Sequence, residues 1–205
     1  MDKKLMLPMS TKDDIIQDKK FPYKLYAKIT LESNRNEVEE HRYIKNSKLK
    51  SDEMKEQLKA IGISESTFKR QMNKLRKYTD VIELVQLEDG VAYKIKYKDC
   101  DNRNYVLVNA EKLRIIINSC NDTCLKIYMV LLYTCNNETE TQVTQEWLLN
   151  KVGLSKSSRQ VIHDCLYMLD KKVILVRSEV VMNESINKNG EINKNIKKKN
   201  YIKLI

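Results

Sequence analysis

The sequence predicts an α+β fold that is mainly α and repeats one structural unit twice. Only 4 Gly and 2 Pro occur among 205 residues, which favours long helices joined by short turns. A pattern of two helices joined by a tight turn occurs twice, and each copy precedes a stretch typical of a β-hairpin. The four glycines mark these features. Gly62 and Gly153 fall in the helix turns, and Gly90 and Gly190 fall in the hairpin turns.

The composition favours a soluble protein with a polyanionic partner. The formal net charge is +10, from 38 Lys and Arg against 28 Asp and Glu. Such an excess favours nucleic acid, because each neutralised phosphate releases a counterion. No apolar run approaches the roughly 18–20 residues that span a bilayer, so we expect no membrane segment and a cytoplasmic location. The five cysteines are irregularly spaced, and we expect reduced thiols within the core.

The first helix-turn-helix pattern covers residues 51–75. Phe68, Met72 and Leu75 recur at i, i+4 and i+7, which predicts one buried face of the second helix. Gly62 stands where the first helix ends and a left-handed cap is expected. Ser64 is then placed to cap the helix that follows.

The second pattern covers residues 144–169. Its Gly153-Leu154-Ser155 repeats Gly62-Ile63-Ser64 at an interval of 91 residues. The apolar positions Ile162, Leu166 and Leu169 start about two or three residues later after Ser155 than Phe68 does after Ser64. The register of this second helix therefore stays open at the level of the sequence.

Two hairpins are predicted behind these patterns. Residues 81–87 and 91–97 are rich in β-branched and apolar residues and flank Asp89-Gly90, a strong turn signal. Residues 173–182 and 201–205 flank Asn189-Gly190 in the same way. The second hairpin is longer and carries a group of lysines: Lys188, Lys194, Lys197, Lys198, Lys199 and Lys203. A flexible Asn- and Lys-rich loop over residues 183–200 is the alternative.

An apolar segment precedes each pattern. Residues 25–31 are expected to form a helix, with a strand as the alternative because several are β-branched. The segment from Ile127 to Tyr133 is apolar on nearly all sides, so we expect a helix that either crosses the centre of the molecule or forms a homodimer seam.

Helix, turn, helix and hairpin in this order make a winged helix-turn-helix domain. We therefore expect two such domains in tandem, over residues 21–98 and 99–205, and the second has the longer, basic wing. The polar stretch at residues 98–104 marks their boundary. Residues 1–20 lack a periodic apolar pattern and are expected to be a mobile arm.

This layout predicts contact with double-stranded DNA, because the second helix of the motif enters the major groove. Arg70 has the chemistry to bind guanine and Asn73 to bind adenine, while the residues around them would meet phosphates. The candidate DNA-binding residues of the first domain are Ser66, Thr67, Lys69, Arg70, Asn73, Lys74 and Lys77. Those of the second domain are Lys156, Ser157, Ser158, Arg159 and Gln160 in the helix and Lys197, Lys198 and Lys199 in the wing. The alternative is an ordinary amphipathic helix whose charges only keep it solvated.

No catalytic pattern is visible. His41 and His163 lie in different predicted domains, the glycines form no phosphate-binding loop, and no Gly-x-Ser-x-Gly occurs. We expect no enzyme, no cofactor and no metal.

Residues 105–108, 125–132, 153–155 and 169–174 resemble the winged-helix domain of plasmid replication initiators and phage replisome organisers of low-GC Gram-positive bacteria. The segment from Gly62 to Arg70 resembles the same class less closely, and the likeness covers about residues 24–178. It implies binding to repeated DNA sites at a replication origin, with one domain often dimerising, and replication proteins as partners. A plasmid or phage transcription regulator is also compatible, and so is a winged-helix protein-interaction adaptor without specific DNA binding.

Overall fold

The computed structural model describes residues 4–9, 15–35, 41–96, 105–135, 137–186 and 192–205. The fold is α+β, as predicted, with helices and three antiparallel sheets around one continuous hydrophobic core. The expected domain boundary at residues 98–104 and the turn glycine Gly190 lie outside the described residues.

The elements of the first unit are α1 (Tyr23–Glu32), β2 (Asn34–Arg35), β3 (Arg42–Lys45), α2 (Asn46–Leu49), α3 (Asp52–Ala60), α4 (Glu65–Leu75), β4 (Ile82–Leu87) and β5 (Gly90–Ile95). Its four strands form an antiparallel sheet of order β2-β3-β5-β4. Residues 25–31 are helical, as expected. The predicted hairpin is present, but its turn residues are Glu88 and Asp89, because Gly90 already pairs with Leu87 as the first residue of β5.

The turn between α3 and α4 has the predicted cap chemistry. Gly62 adopts φ +80°, a left-handed conformation that glycine tolerates best. The Ser64 hydroxyl accepts a hydrogen bond from the Thr67 backbone N–H and so caps α4. Met72 and Leu75 are buried and Phe68 is half-buried, which confirms the predicted core face of this helix.

The elements of the second unit are β6 (Tyr105–Asn109), α5 (Ala110–Ser119), α6 (Asp122–Thr134), β7 (Thr141–Val143), α7 (Gln145–Lys151), a 3₁₀ turn (Lys156–Ser158), α8 (Arg159–Leu169), β8 (Ile174–Ile186) and β9 (Ile192–Leu204). From α6 onward they follow the order of the first unit, with no counterparts of β2 and α2 among the described residues. Strands β7, β8 and β9 form an antiparallel sheet of order β7-β9-β8. Helix α5, which the sequence did not predict, precedes α6.

The second hairpin is longer than predicted. Strand β8 continues beyond Met182, and β9 pairs with it residue by residue from Ile192 to Leu204. The flexible-loop alternative is therefore wrong for residues 183–186 and 192–200. These residues are mostly polar, so their sequence does not predict a strand, but the backbone hydrogen bonds between β8 and β9 form one.

The 3₁₀ turn settles the register that the sequence left open. It occupies the three residues after Ser155, so α8 starts at Arg159, whereas α4 starts directly after Ser64. Both helices have 11 residues, and Ile162, Leu166 and Leu169 take the places of Phe68, Met72 and Leu75. The two helices therefore correspond at an interval of 94 residues, three more than their turn glycines.

The expectation of a mobile arm over residues 1–20 is wrong for the described part of that segment. Residues 4–8 form strand β1 (Lys4–Pro8), which pairs antiparallel with β6. Leu5 and Leu7 are buried, and so are Ile15 and Ile16. Their apolar pattern is too short to predict an element, but strand β6 pairs with β1 and all four side chains join the common hydrophobic core.

Helix α6 crosses the centre of the molecule, which is one of its two expected placements. The five residues from Ile127 to Leu131 are buried within the core of the same chain. Tyr133, at the end of the segment, is exposed. Those five side chains would have to leave the core before they could form a homodimer seam.

A lysine of the first helix joins the two units. The Lys24 ammonium donates to the carbonyl oxygens of Ile61, at 2.9 Å, and Cys120, at 2.7 Å, so that one side chain bridges the turn after α3 and the end of α5. The Lys126 ammonium donates to the carbonyl of Asp18 at 2.7 Å. This contact and the pairing of β1 with β6 hold the N-terminal segment against the second unit.

Candidate nucleic-acid interface

Helix α4 presents a line of polar side chains to solvent. The core anchors one side of the helix through Met72 and Leu75. A period of 3.6 residues then places Ser66, Arg70, Asn73 and Lys77 along the opposite side, and all four are exposed. Lys77 lies just beyond the last helical residue and extends the line.

The remaining candidates in the first unit take different positions. Lys69 and Lys74 are exposed on the two flanks of the line. The Lys69 ammonium lies 2.9 Å from the Glu65 carboxylate, one turn earlier. Thr67 is half-buried, and its hydroxyl accepts from Ser64 at 3.0 Å, so this residue belongs to the helix cap and not to the exposed line.

Three cations of this surface form no ion pair with any carboxylate among the described residues. Arg70, Lys74 and Lys77 have no described Asp or Glu oxygen within 4.0 Å. Their charges are exposed and so remain hydrated. A phosphate or a base edge could therefore engage them without first breaking an ion pair.

The hairpin of the first unit is held against α4 at the helix end. The Nε of Arg76 donates to the Tyr93 hydroxyl at 3.0 Å, and the guanidinium carbon lies 5.6 Å from the centre of the tyrosine ring. Tyr93 belongs to β5 and is buried. This contact ties the hairpin to the helix that carries the candidate line.

The equivalent line of α8 has different chemistry. At an interval of 94 residues it consists of Gln160, Asp164, Tyr167 and Lys171, all of them exposed. Gln160 donates to the Asp164 carboxylate at 2.7 Å, and the Tyr167 side chain is 80% exposed. A carboxylate and a large exposed aromatic replace Arg70 and Asn73 of α4.

The other candidates of the second helix gather at its start. Lys156, Ser157 and Ser158 form the 3₁₀ turn, and Arg159 opens α8. The Lys156 ammonium lies 3.1 Å from the Glu146 carboxylate, which offsets its charge. The structure brings these residues together at the helix terminus but does not align them along its outer face.

The wing candidates Lys197, Lys198 and Lys199 all lie in β9. The register pairs them with Val181, Val180 and Glu179 of β8. Lys199 is half-buried, and the side chains of Lys197 and Lys198 lie outside what the structure describes. Closer to the base of the hairpin, the Arg177 guanidinium lies 2.6 Å from Glu140 and 4.3 Å from the centre of the Tyr201 ring.

A cavity beside α4 was missed by sequence reasoning. It has a volume of about 480 Å³ and lies between α2, α3, α4 and β5. Leu49 and Tyr93, which line it, are far from α4 in sequence. The one sequence signal for it is the spacing of Glu65, Lys69 and Arg76, which recur along one flank of α4.

Metal and membrane sites are not found in the part of the chain that the structure describes. No three His, Cys, Asp or Glu residues there come together as metal ligands would. None of the described helices combines the length and the apolarity needed to cross a bilayer. Comparison with protein-family models and with curated proteins finds no match to this chain.

Proposed function

We propose that this chain is a sequence-specific double-stranded DNA-binding protein built from two tandem winged helix-turn-helix domains. It would act at a plasmid or phage locus, as a replication initiator or a transcription regulator. The observation that carries the proposal is the exposed line of Ser66, Arg70, Asn73 and Lys77 on α4.

The order of elements supports the domain type. Both units contain, in the same order, a helix (α1 or α6), a short strand (β3 or β7), two helices joined by a turn and a hairpin, and the first unit has β2 and α2 in addition. In each sheet the short strand pairs with the second hairpin strand, which gives β3-β5-β4 in one unit and β7-β9-β8 in the other. A winged helix is expected to have this arrangement, with the hairpin as the wing and α4 or α8 as the recognition helix.

The chemistry of α4 fits the major groove. The helix has 11 residues and is therefore about 16 Å long, enough to lie across a groove about 12 Å wide. Arg70 can form two hydrogen bonds with guanine, and Asn73 can form two with adenine. Lys74 and Lys77 lie where they would meet phosphates and set the orientation.

Selection of binding sites from a random duplex library, followed by titration at about 150 mM salt, tests the proposal, because non-specific electrostatic binding is already weakened at that salt concentration. Arg70→Ala and Asn73→Ala should each lose about 1–3 kcal/mol and relax specificity at one base pair. The matched controls are Arg114→Ala and Asn118→Ala on α5, which are exposed residues of the same types.

Two results would contradict DNA binding through α4. One is the absence of any enriched sequence, with the affinity for the selected pool equal to that for random duplex. The other is an equal loss for Arg70→Ala and its control Arg114→Ala, which would show that net charge alone governs the interaction. The genomic position of an enriched site then separates the two roles, since repeats at an origin indicate initiation and a promoter indicates regulation.

A protein-interaction adaptor is the second candidate, and the face of α8 favours it. Asp164 would repel phosphates, whereas the exposed Tyr167 is a side chain typical of protein interfaces. If the chain is only an adaptor, wild-type protein shows no specific duplex binding, and Arg70→Ala and Asn73→Ala retain full biological activity. Tyr167→Ala would then abolish that activity.

A further inference from the structure

The cavity beside α4 has an apolar floor. Leu49, Met72 and Tyr93 contribute to it, and these side chains are 2–4% exposed overall. Phe68 adds an aromatic ring that is half-buried. With a volume of about 480 Å³, the cavity falls in the range of small-molecule sites, roughly 300–1,000 Å³.

The rim of the cavity is basic. Four cations line it, Lys50, Lys55, Lys69 and Arg76, against the single carboxylate of Glu65. Lys69 is paired with Glu65, and Lys55 lies 2.7 Å from the Asp52 carboxylate. Lys50 and Arg76 have no ion-pair partner among the described residues, although two nitrogens of the Arg76 guanidinium donate to the Tyr93 hydroxyl. The Lys50 ammonium and the remaining N–H groups of Arg76 are therefore available to a bound anion at the edge of an apolar surface.

We propose that this cavity binds a small organic anion with a flat apolar body and one sulfonate, phosphate or carboxylate group. The apolar body would lie on the floor, where its burial removes apolar area from water. The anionic group would lie at the rim beside Lys50 and Arg76, and the amides of Asn46 and Asn73 add hydrogen-bond donors there.

Occupation of the cavity also has a consequence for α4. Lys69 and Asn73 line the cavity and also belong to the candidate DNA surface. A bound anion would neutralise positive charge at that surface and occupy the Asn73 amide. The organic anion and duplex DNA should therefore compete, and this second part rests on the proposed function.

Anilinonaphthalene sulfonate is a suitable probe because it combines a flat aromatic body with one negative charge. A fluorescence titration with the folded 205-residue chain should show saturable binding at one site. The neutral analogue phenylnaphthylamine should bind about tenfold more weakly, which corresponds to about 1.4 kcal/mol. Equal affinity for the two probes would overturn the assignment of the basic rim.

The variants separate this cavity from a general apolar or charge effect. Lys50→Glu should weaken probe binding about tenfold, whereas Lys19→Glu makes the same charge change at an exposed lysine that does not line the cavity and should leave the affinity within about twofold. Asn46→Trp, which adds bulk at the rim, should abolish binding. An unchanged melting temperature checks that each variant remains folded.

The possible outcomes distinguish this proposal from DNA binding. Absence of saturable probe binding, or equal effects of Lys50→Glu and Lys19→Glu, overturns the cavity proposal whatever happens with DNA. Probe binding without any DNA binding leaves the cavity in place and removes the proposed function. If the probe and a selected duplex bind at the same time and neither lowers the affinity of the other, the predicted competition between them is wrong.

Discussion

The two turn glycines share a backbone conformation but differ in their surroundings, and this difference gives a sharp stability prediction. Gly62 has φ +80° and Gly153 has φ +67°. A Cβ at position 62 would meet nothing within 4 Å, whereas a Cβ at position 153 would lie 2.8 Å from the Gln17 carbonyl oxygen and 3.2 Å from its Cα. The obstacle at Gly153 is backbone, which cannot rotate away as a flexible side chain could.

The magnitude follows from two separate costs. A left-handed conformation costs an alanine roughly 1–2 kcal/mol, and the lower entropy of the unfolded alanine chain offsets about 0.4–1 kcal/mol of this. Gly62→Ala should therefore lose about 1 kcal/mol. Gly153→Ala carries in addition an overpacking cost of about 1–3 kcal/mol, since either the 15–20 segment or the turn must shift.

Urea unfolding of the two variants and the wild type measures the difference. We expect Gly153→Ala to lose about 2–4 kcal/mol, with a melting temperature lower by about 2–4 °C for each kcal/mol. Equal losses for the two variants would refute the packing of Gln17 against this turn. The wild-type m-value should be retained, because a change in m would indicate a change in the unfolded or native ensemble and not a local clash.

Three further predictions concern the caps and the contacts between units. Ser64→Ala should destabilise by about 1 kcal/mol in urea unfolding because it removes the α4 cap, whereas Ser155→Ala, whose hydroxyl caps no helix, should cost only a few tenths. Lys24→Met should cost about 1–3 kcal/mol in the same assay because it leaves two carbonyl oxygens without their donor, and a loss below about 0.5 kcal/mol would contradict the bridge. Burial raises the pKa of Asp18, but the Tyr78 hydroxyl and nearby lysines lower it by more, so this pKa lies below 3.8. The ionised carboxylate therefore stabilises the native state fully above about pH 4, and this contribution is lost as the pH falls through the native pKa. Tyr78→Phe should raise that pKa in an NMR titration and weaken the pH dependence, and an unchanged pKa would contradict the hydrogen bond.

Local signals were sufficient for the helix-turn-helix of the first unit, whereas β2, β3 and α2 of the same unit were not predicted. Gly62, Ser64 and the spacing of Phe68, Met72 and Leu75 predicted a turn, a cap and a buried face, and the structure confirms all three. Arg70 and Asn73 were placed on the exposed face by the same periodicity. Their role in DNA binding stays a prediction.

The features that were missed depend on distant partners. Strand β1 is stable only because β6, about 100 residues away, pairs with it. The cavity beside α4 is lined by Lys50 and Tyr93 as well as by α4 residues, and no local sequence pattern predicts that these distant residues come together. The 3₁₀ turn adds three residues between Ser155 and the start of α8, and the spacing of Gly62 and Gly153 does not reveal them. For that reason the interval of 91 residues between glycines understated the interval of 94 between helices.

The corrected interval changes how the two units should be compared. Alignment on the glycines would match Arg70 with Val161, but the structure matches it with Asp164, so the outer faces of α4 and α8 differ in charge at the equivalent position. The Lys24 bridge joins the two units that carry these unlike faces. A partner bound to α4 therefore meets α8 in a defined position. If that partner is DNA, the Asp164 carboxylate would repel its phosphates, so α8 should not bind the same duplex as α4 does. If α4 binds DNA as proposed, Asp164 and the exposed Tyr167 predict that α8 contacts a protein and not the same DNA, so Tyr167→Ala should leave duplex affinity unchanged.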